Sequence, residues 1–268
     1  MKIILSRKGF DSSNGGVPSP IMPDGTLLSM PIPSIDDSAT FSEIEWKGQR
    51  YSDILKQISP KKVYDKCHVD PDIRENRINR IDGWKPAFGQ TGSAQGVLAN
   101  AGVGKGDIFL FFGWFRRVEE TANGYRYVKR NPDDFYSGND IQIVYGYLQV
   151  GDILTETDEI RKYYWHPHSN TEVYTSKNNV LYIPTDKLSI APDLKGYGTL
   201  DYRKDRVLTM EGMGRATWNE YEFLMPEHVS GKRKNSAKGE GLYYSGIWQE
   251  LVVYESENLM KWVKKIIR

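Results

Sequence analysis

Hydrophobic positions in this chain fall in short runs separated by turn residues, a pattern that predicts many strands and few helices. The strongest runs are Asp107-Ile108-Phe109-Leu110-Phe111-Phe112-Gly113-Trp114-Phe115 and Asp140-Ile141-Gln142-Ile143-Val144-Tyr145-Gly146-Tyr147-Leu148. They align position by position, aspartate and central glycine included, and are expected to be two strands of one sheet. The equivalent glycines are expected to mark bulges or the close approach of another backbone. Between the runs, Asn123-Gly124 signals a turn before the strand-like residues 125–128, so an antiparallel meander is expected. Residues 2–5 read as a buried first strand, and 180–183, 207–210 and 247–254 as further strands.

Helical spacing is confined to a few places. Tyr51, Ile54, Leu55 and Ile58 recur at i, i+3, i+4 and i+7, with Pro60 beyond the end. Ser93 is the expected N-cap of a helix over 94–101, with Gly102 as the C′ glycine. Near the C-terminus, Leu259, Trp262, Val263, Ile266 and Ile267 share one helical face, and Lys261, Lys264, Lys265 and Arg268 lie elsewhere; this is a packing helix first and a partner helix second. Pro18, Pro20, Pro23, Pro31 and Pro33 exclude a regular helix from 17 to 35, which is expected to wander over the surface or form edge strands around Asp24-Gly25. The basic, glycine-rich stretch 231–241 reads as a mobile loop. Together these elements predict one β-rich α+β domain over residues 1–268, built on a mainly antiparallel sheet with a few short helices and long loops.

Composition narrows the function classes. In 268 residues, 36 Lys and Arg face 35 Asp and Glu, a formal charge of +1, so the chain lacks the basic signature of a dedicated nucleic-acid binder, and any nucleic-acid contact needs a local patch. A single cysteine, Cys67, excludes an intrachain disulfide framework and multi-cysteine zinc patterns. The apolar N-terminal stretch is too short for a signal peptide and no run approaches a membrane-spanning length, so the expected setting is cytoplasmic, with no membrane partner.

The candidate chemistry centres on the histidines, of which there are four. His68 precedes Asp70 by two residues in Lys66-Cys67-His68-Val69-Asp70-Pro71-Asp72, and His166 and His168 flank Pro167. In extended backbone, i and i+2 project to the same side, so each pair can offer two ligands to one point. Two imidazoles and a carboxylate suit a ferrous ion with open coordination positions. The alternative is that both clusters are ordinary loop residues of a β-rich surface. After the first strand, Arg7-Lys8-Gly9-Phe10-Asp11-Ser12-Ser13-Asn14-Gly15-Gly16 gathers two cations, small hydroxyls and permissive glycines, a loop able to bind an anion. Gln90 and Gln95, in a glycine-rich approach, can hydrogen-bond a base or a substrate amide. Trp84, Trp114 and Tyr147 are available for stacking, although the last two lie in apolar strands where core packing is the expected use.

Taken together, Ser6-Arg7-Lys8-Gly9-Phe10-Asp11, Cys67-His68-Val69-Asp70-Pro71-Asp72, Gly106–Arg116, Tyr145–Gly151 and His166-Pro167-His168 resemble the nucleotide modification associated domain family, third type. The resemblance covers most of the chain. It implies work on a nucleotide or nucleic acid within systems that modify DNA bases, or support for an enzyme that does such work. The family's motif positions fall on Arg7, Lys8, Asp11, His68, Asp70, Asp72, Gln90, His166 and His168. Three functions compete, and within the first a hydrolytic or transferase site using the same groups without iron stays open. One is a metal-dependent, iron oxygenase-like enzyme: Fe(II) as cofactor, a metal set drawn from His68, Asp70, Asp72, His166 and His168, catalytic Arg7, Lys8 and Asp11, and substrate contacts from Trp84, Gln90 and Gln95. The second is a non-catalytic module that binds a modified base or nucleic acid, and the third an accessory partner that contacts a modification enzyme through the C-terminal helix.

Overall fold

The computed structural model describes residues 1–75, 80–230, 242–244 and 249–268. Two strands of 14 residues form its centre, β4 (Ile108–Thr121) and β6 (Ile141–Leu154), paired antiparallel with Ile141 opposite Phe115 and Gln149 opposite Ile108. Their apolar runs are continuous because both faces are covered. Ile108, Leu110 and Phe112 enter one core with the C-terminal helix, whereas Phe109, Phe111 and Phe115 enter another with Phe88 and Tyr182. Strand alternation sends neighbouring residues to opposite faces, and here neither face is left to water.

Around this pair stand β1 (Lys2–Arg7), β2 (Ser19–Ile21), β3 (Phe88–Gln90), β5 (Gly124–Tyr127), β7 (Val180–Pro184), β8 (Tyr197–Thr199) and β9 (Glu250–Tyr254). The sheet runs β9-β1-β4-β6-β7-β3, with β2 and β5 also on β4 and β8 on β6. Most pairings are antiparallel, but β1 and β2 lie parallel to β4, so the fold is a β-rich α+β mixed sheet. The hairpin at Asn123-Gly124 forms, yet β5 pairs only with the outer end of β4, from Val118 to Thr121. It is therefore not a strand between β4 and β6.

Both equivalent glycines are required. A Cβ on Gly113 would lie 2.8 Å from the Lys8 carbonyl oxygen, and the ladder shifts register between Val144 and Gly146, where a Cβ would lie 2.5 Å from Ile73.

Three α-helices of eight or more residues complete the frame among the described residues: α1 (Tyr51–Ile58), α2 (Gly92–Asn100) and α3 (Glu257–Ile267). In α3 the Ser256 side chain caps the first turn through the Leu259 N–H, and Leu259, Val263, Ile266 and Ile267 are buried against the sheet. Each such side chain contributes roughly 1.5–3 kcal/mol.

Two expectations change, and a third is settled between its alternatives. Helix α2 starts earlier than Ser93 suggests, with Thr91 at the N-cap. The Asn178 side chain grips Gly92 there, accepting from its N–H and donating to its carbonyl. Residues 207–210 make isolated bridges instead of a strand, because the Thr209 hydroxyl accepts the Gln142 N–H that a ladder carbonyl would take. The proline-rich stretch takes the second expected form and not the surface course: β2 lies on β4, and Ile21 bridges Leu27 around Asp24-Gly25. Met22, Leu28 and Met30 are fully buried with Phe10, Phe41 and α1 in a third core, since prolines bar a helix but not apolar burial. The expected loop 231–241 and residues 247–248 of the last expected strand lie outside the described residues. Among the described residues no helix is long and apolar enough to cross a membrane.

Candidate metal centre

The fold gathers five distant segments at one place. Arg7 and Lys8 leave the end of β1, Glu250 begins β9 beside it, β3 presents Gly89 and Gln90, and a short ladder pairs Ile32–Pro33 with Cys67–His68. They surround a cavity of about 600 Å³ whose lining includes Arg7, Lys8, Asp11, His68, Asp70, Gln90, His168 and Tyr174. This is the size of a typical small-ligand pocket.

One ligand atom each from His68, Asp70 and His168 lies within 4.8 Å of the others. Each of the three already has a hydrogen-bond partner. His68 Nδ1 lies 3.0 Å from Asp37 Oδ2 and 2.8 Å from the Tyr174 hydroxyl, which itself donates to Asp37. His168 Nδ1 lies 2.6 Å from Asn179 Oδ1, and the Asn179 amide donates to the His168 carbonyl, which fixes the amide orientation. Both imidazoles therefore carry their proton on Nδ1 and turn the Nε2 lone pair inward. Asp70 Oδ1 accepts the Gly89 N–H at 2.7 Å.

His166 is sorted differently. It is fully buried, its Nδ1 accepts the His168 N–H at 3.3 Å, and its Nε2 stands 3.2 Å from Asp70 Oδ1. That distance is within ion-pair range, but the alignment is outside that of a hydrogen bond. Pro167 opens a short 3-10 turn over 167–169, so the two histidines do not project as they would from an extended strand. His166 braces Asp70 while His168 faces the cluster.

Electrostatics follow burial and partners. Burial alone would raise the Asp70 carboxyl, but the neighbouring His166 imidazole and the Lys8 charge hold it well below the carboxylate range. Asp37 is also lowered: burial opposes this, and the hydrogen bond from His68, with those of Ser34 and Tyr174, outweighs it. Burial pushes the Tyr174 hydroxyl far up, reinforced by the Asp37 charge. Burial takes His168 from 6.5 down to about 3, with the neighbouring imidazoles acting in the same direction against Asp70.

This has a measurable consequence. Between pH 6.5 and 3 the unfolded chain binds a proton at His168 that the folded chain does not, so stability falls as pH is lowered through that window. The expected slope from this group is about 1.4 kcal/mol per pH unit. Asp37 and Asp70 add further loss below their ordinary pKa of 3.8, as pH falls toward their depressed folded values. Urea midpoints in chelator at several pH values test this. A His168→Gln variant with the same slope as wild type from pH 6.5 to 4 would rule out the His168 contribution.

The remaining expected residues divide between the cavity and the surrounding scaffold. Arg7 pairs with Asp11 at 3.0 Å, and Asp11 also accepts the N–H groups of Ser13 and Asn14, so Asp11 orients a cation and closes its own loop. Lys8 Nζ lies 3.2 Å from Glu250 and 4.5 Å from the Phe88 ring centroid. Gln90 lines the cavity, donating to Glu250 at 2.7 Å and accepting the Thr91 N–H. Asp72 lies apart from the cluster: both its oxygens bind Arg80, and Oδ2 also accepts Trp84 Nε1 at 2.8 Å. Arg80 covers the Trp84 ring at 3.9 Å, which removes that face from stacking. Gln95 is buried, with its carbonyl accepting the Tyr182 hydroxyl.

Sequence reasoning missed Asp37, Gly89, Tyr174 and Asn179. Of these only Gly89 left a signal, a glycine inside an otherwise strand-like Phe88-Gly89-Gln90, which marks a close approach. A Cβ there would lie 2.3 Å from the His168 ring.

A β-rich α+β protein whose strand ends enclose a two-histidine, one-carboxylate cluster is the class these features define. The family model for nucleotide modification associated domain 3 matches residues 2–253 of the 268, and the chain belongs to that family. No curated protein and no solved structure matches the chain.

Proposed function

We propose that this chain is a metal-dependent enzyme acting on a nucleotide or on a base within a nucleic acid. The observation that carries the reading is the convergence of His68, Asp70 and His168 beside the cavity, each held by a hydrogen-bond partner. Three protein ligands leave coordination positions for a substrate group, and two imidazoles with one carboxylate suit a divalent first-row ion, Fe(II) above all. Such an ion would supply oxygenase-like chemistry. The chain's own residues supply the rest. Asp37 and Asn179 fix the imidazole tautomers, and His166 with the Gly89 N–H aims Asp70.

Arg7, held by Asp11, and Lys8, held by Glu250, offer positive charge to an anionic substrate group, such as a phosphate. Gln90 keeps one amide proton beyond its bond to Glu250, available to a base edge or an amide. Membership in a nucleotide-modification family supports the substrate class.

The test begins with protein purified without oxygen and titrated with Fe(II), Mn(II), Co(II) and Zn(II). Wild type is expected to bind one ion per chain, and His168→Ala to bind it more than about 100-fold more weakly, beyond the loss typical of an outer partner. Fe(II)-loaded protein is then incubated with nucleotides or DNA under oxygen and the bases are weighed by mass spectrometry. Absence of a stoichiometric ion under anaerobic loading would remove the reading.

A further inference from the structure

Tyr174 touches both imidazoles of the cluster by different means. Its hydroxyl lies 2.8 Å from His68 Nδ1 and 3.1 and 3.3 Å from the two Asp37 oxygens. Asp37 is a carboxylate and can only accept, so the tyrosine proton goes to Asp37 and the tyrosine oxygen faces the His68 Nδ1–H. The phenol ring meanwhile lies on the His168 imidazole, 4.5 Å between centroids and 13° from parallel. The two imidazoles are themselves 5.4 Å apart and tilted by 56°, so nothing in their own contact sets their relative rotation as the tyrosine does.

The segment carrying Tyr174 is closed back on the site at both ends. The Tyr174 N–H donates to the Asn170 carbonyl at 2.9 Å, and the Asn170 N–H to that of Pro167. At the far end Asn179 holds both the ring and the carbonyl of His168. Tyr174 also lines the cavity.

We infer that Tyr174 is a positioning residue that sets the angle and spacing of the His68 and His168 rings as metal ligands, its hydroxyl acting on one and its ring on the other. The inference rests on the metal-centre reading above. It separates two contributions in a single side chain: Tyr174→Phe deletes the hydroxyl and keeps the stack, and Tyr174→Leu deletes both.

The experiment uses Co(II), whose visible spectrum reports ligand geometry, in the full chain. Metal affinity and spectrum are measured for wild type, Tyr174→Phe, Tyr174→Leu, Asp37→Asn and the Asp37→Asn, Tyr174→Phe double variant, alongside metal-free urea midpoints. Tyr174→Phe is expected to weaken Co(II) binding about 10-fold and shift the visible bands, and Tyr174→Leu to weaken it toward 100-fold. Because hydroxyl and carboxylate act through the same His68 nitrogen, the double variant is expected to lose no more than about the worse single variant, whereas independent effects would multiply. Wild type that binds no Co(II) would overturn the metal centre and this inference with it. Wild type that binds Co(II), with affinity and spectrum unchanged in Tyr174→Phe and Tyr174→Leu, would overturn the tyrosine role alone, as would losses that only track the metal-free urea midpoints.

Discussion

An alanine at position 89 is expected to remove tight metal binding and to destabilise the protein by about 1–3 kcal/mol, the usual range for forcing extra volume into a packed site. The added Cβ would lie 2.3, 2.4 and 2.8 Å from Cδ2, Cγ and Nε2 of His168. The ring has no easy retreat, since Asn179 holds its Nδ1 and Tyr174 is stacked on it. Strand β3 is held in turn by β7, with Gly89 opposite Leu181, so the backbone resists moving away. Any shift of β3 would also lengthen the Gly89 N–H bond that holds Asp70, so two of the three ligands are disturbed by one methyl group. Metal affinity is therefore expected to drop by more than about 100-fold, exceeding the effect of losing one outer hydrogen bond. Urea unfolding and Co(II) titration on the same variant check both parts. A Gly89→Ala protein that binds metal as wild type does would show that the His168 ring can move aside without consequence, and so is not a ligand.

Replacing Asp72 with alanine is expected to give the opposite combination, a large loss of stability with metal affinity kept within about threefold. Its carboxylate, 5% exposed, meets an Arg80 side chain that is 17% exposed, in two bonds of 2.6 and 2.7 Å. Removing one member of a buried pair leaves the other charge without compensation, at a cost of about 3–5 kcal/mol. The Trp84 indole loses its acceptor in the same step. Chemical denaturation paired with metal titration separates the two quantities. A loss of affinity well beyond threefold in protein still folded would return Asp72 to the metal set and contradict its role as an anchor.

The contrast between these positions shows what the sequence can and cannot express. The long strands are legible because residues 108–115 and 141–148 are apolar on both faces, and their matched glycines record real close contacts. The scarcity of histidine makes His68 and His168 visible as candidates. Their neighbours are misplaced by spacing alone, for a local reason. The spacing His68, Asp70, Asp72 assumes one extended strand, but the strand ends at His68, and Asp72 bridges to Ala87 while its side chain turns to Arg80. Likewise the 3-10 turn at Pro167 separates His166 from His168. Asp37 is invisible because only tertiary folding brings it beside the histidines, and Tyr174 and Asn179 because no spacing rule marks the irregular turns after His168 that fold them back onto its ring. The Asp37–Tyr174 contact spans 137 residues.

The position of β1 between β9 and β4 bears on how the chain must be made. Ile3 lies opposite Val253 on one side and Ile108 on the other. During synthesis the first strand can find its β4 partner early, but its second edge waits for about 240 more residues, roughly 12–50 s at ordinary elongation rates. Throughout that interval a fully apolar Ile3-Ile4-Leu5 edge stays open to any other nascent strand. The same final strand delivers Glu250 to Lys8. Arrival of the last strand therefore covers the open edge of β1 and completes the cavity wall at the same moment, so a chain that stops short of residue 250 keeps that apolar edge uncovered and leaves Lys8 without Glu250.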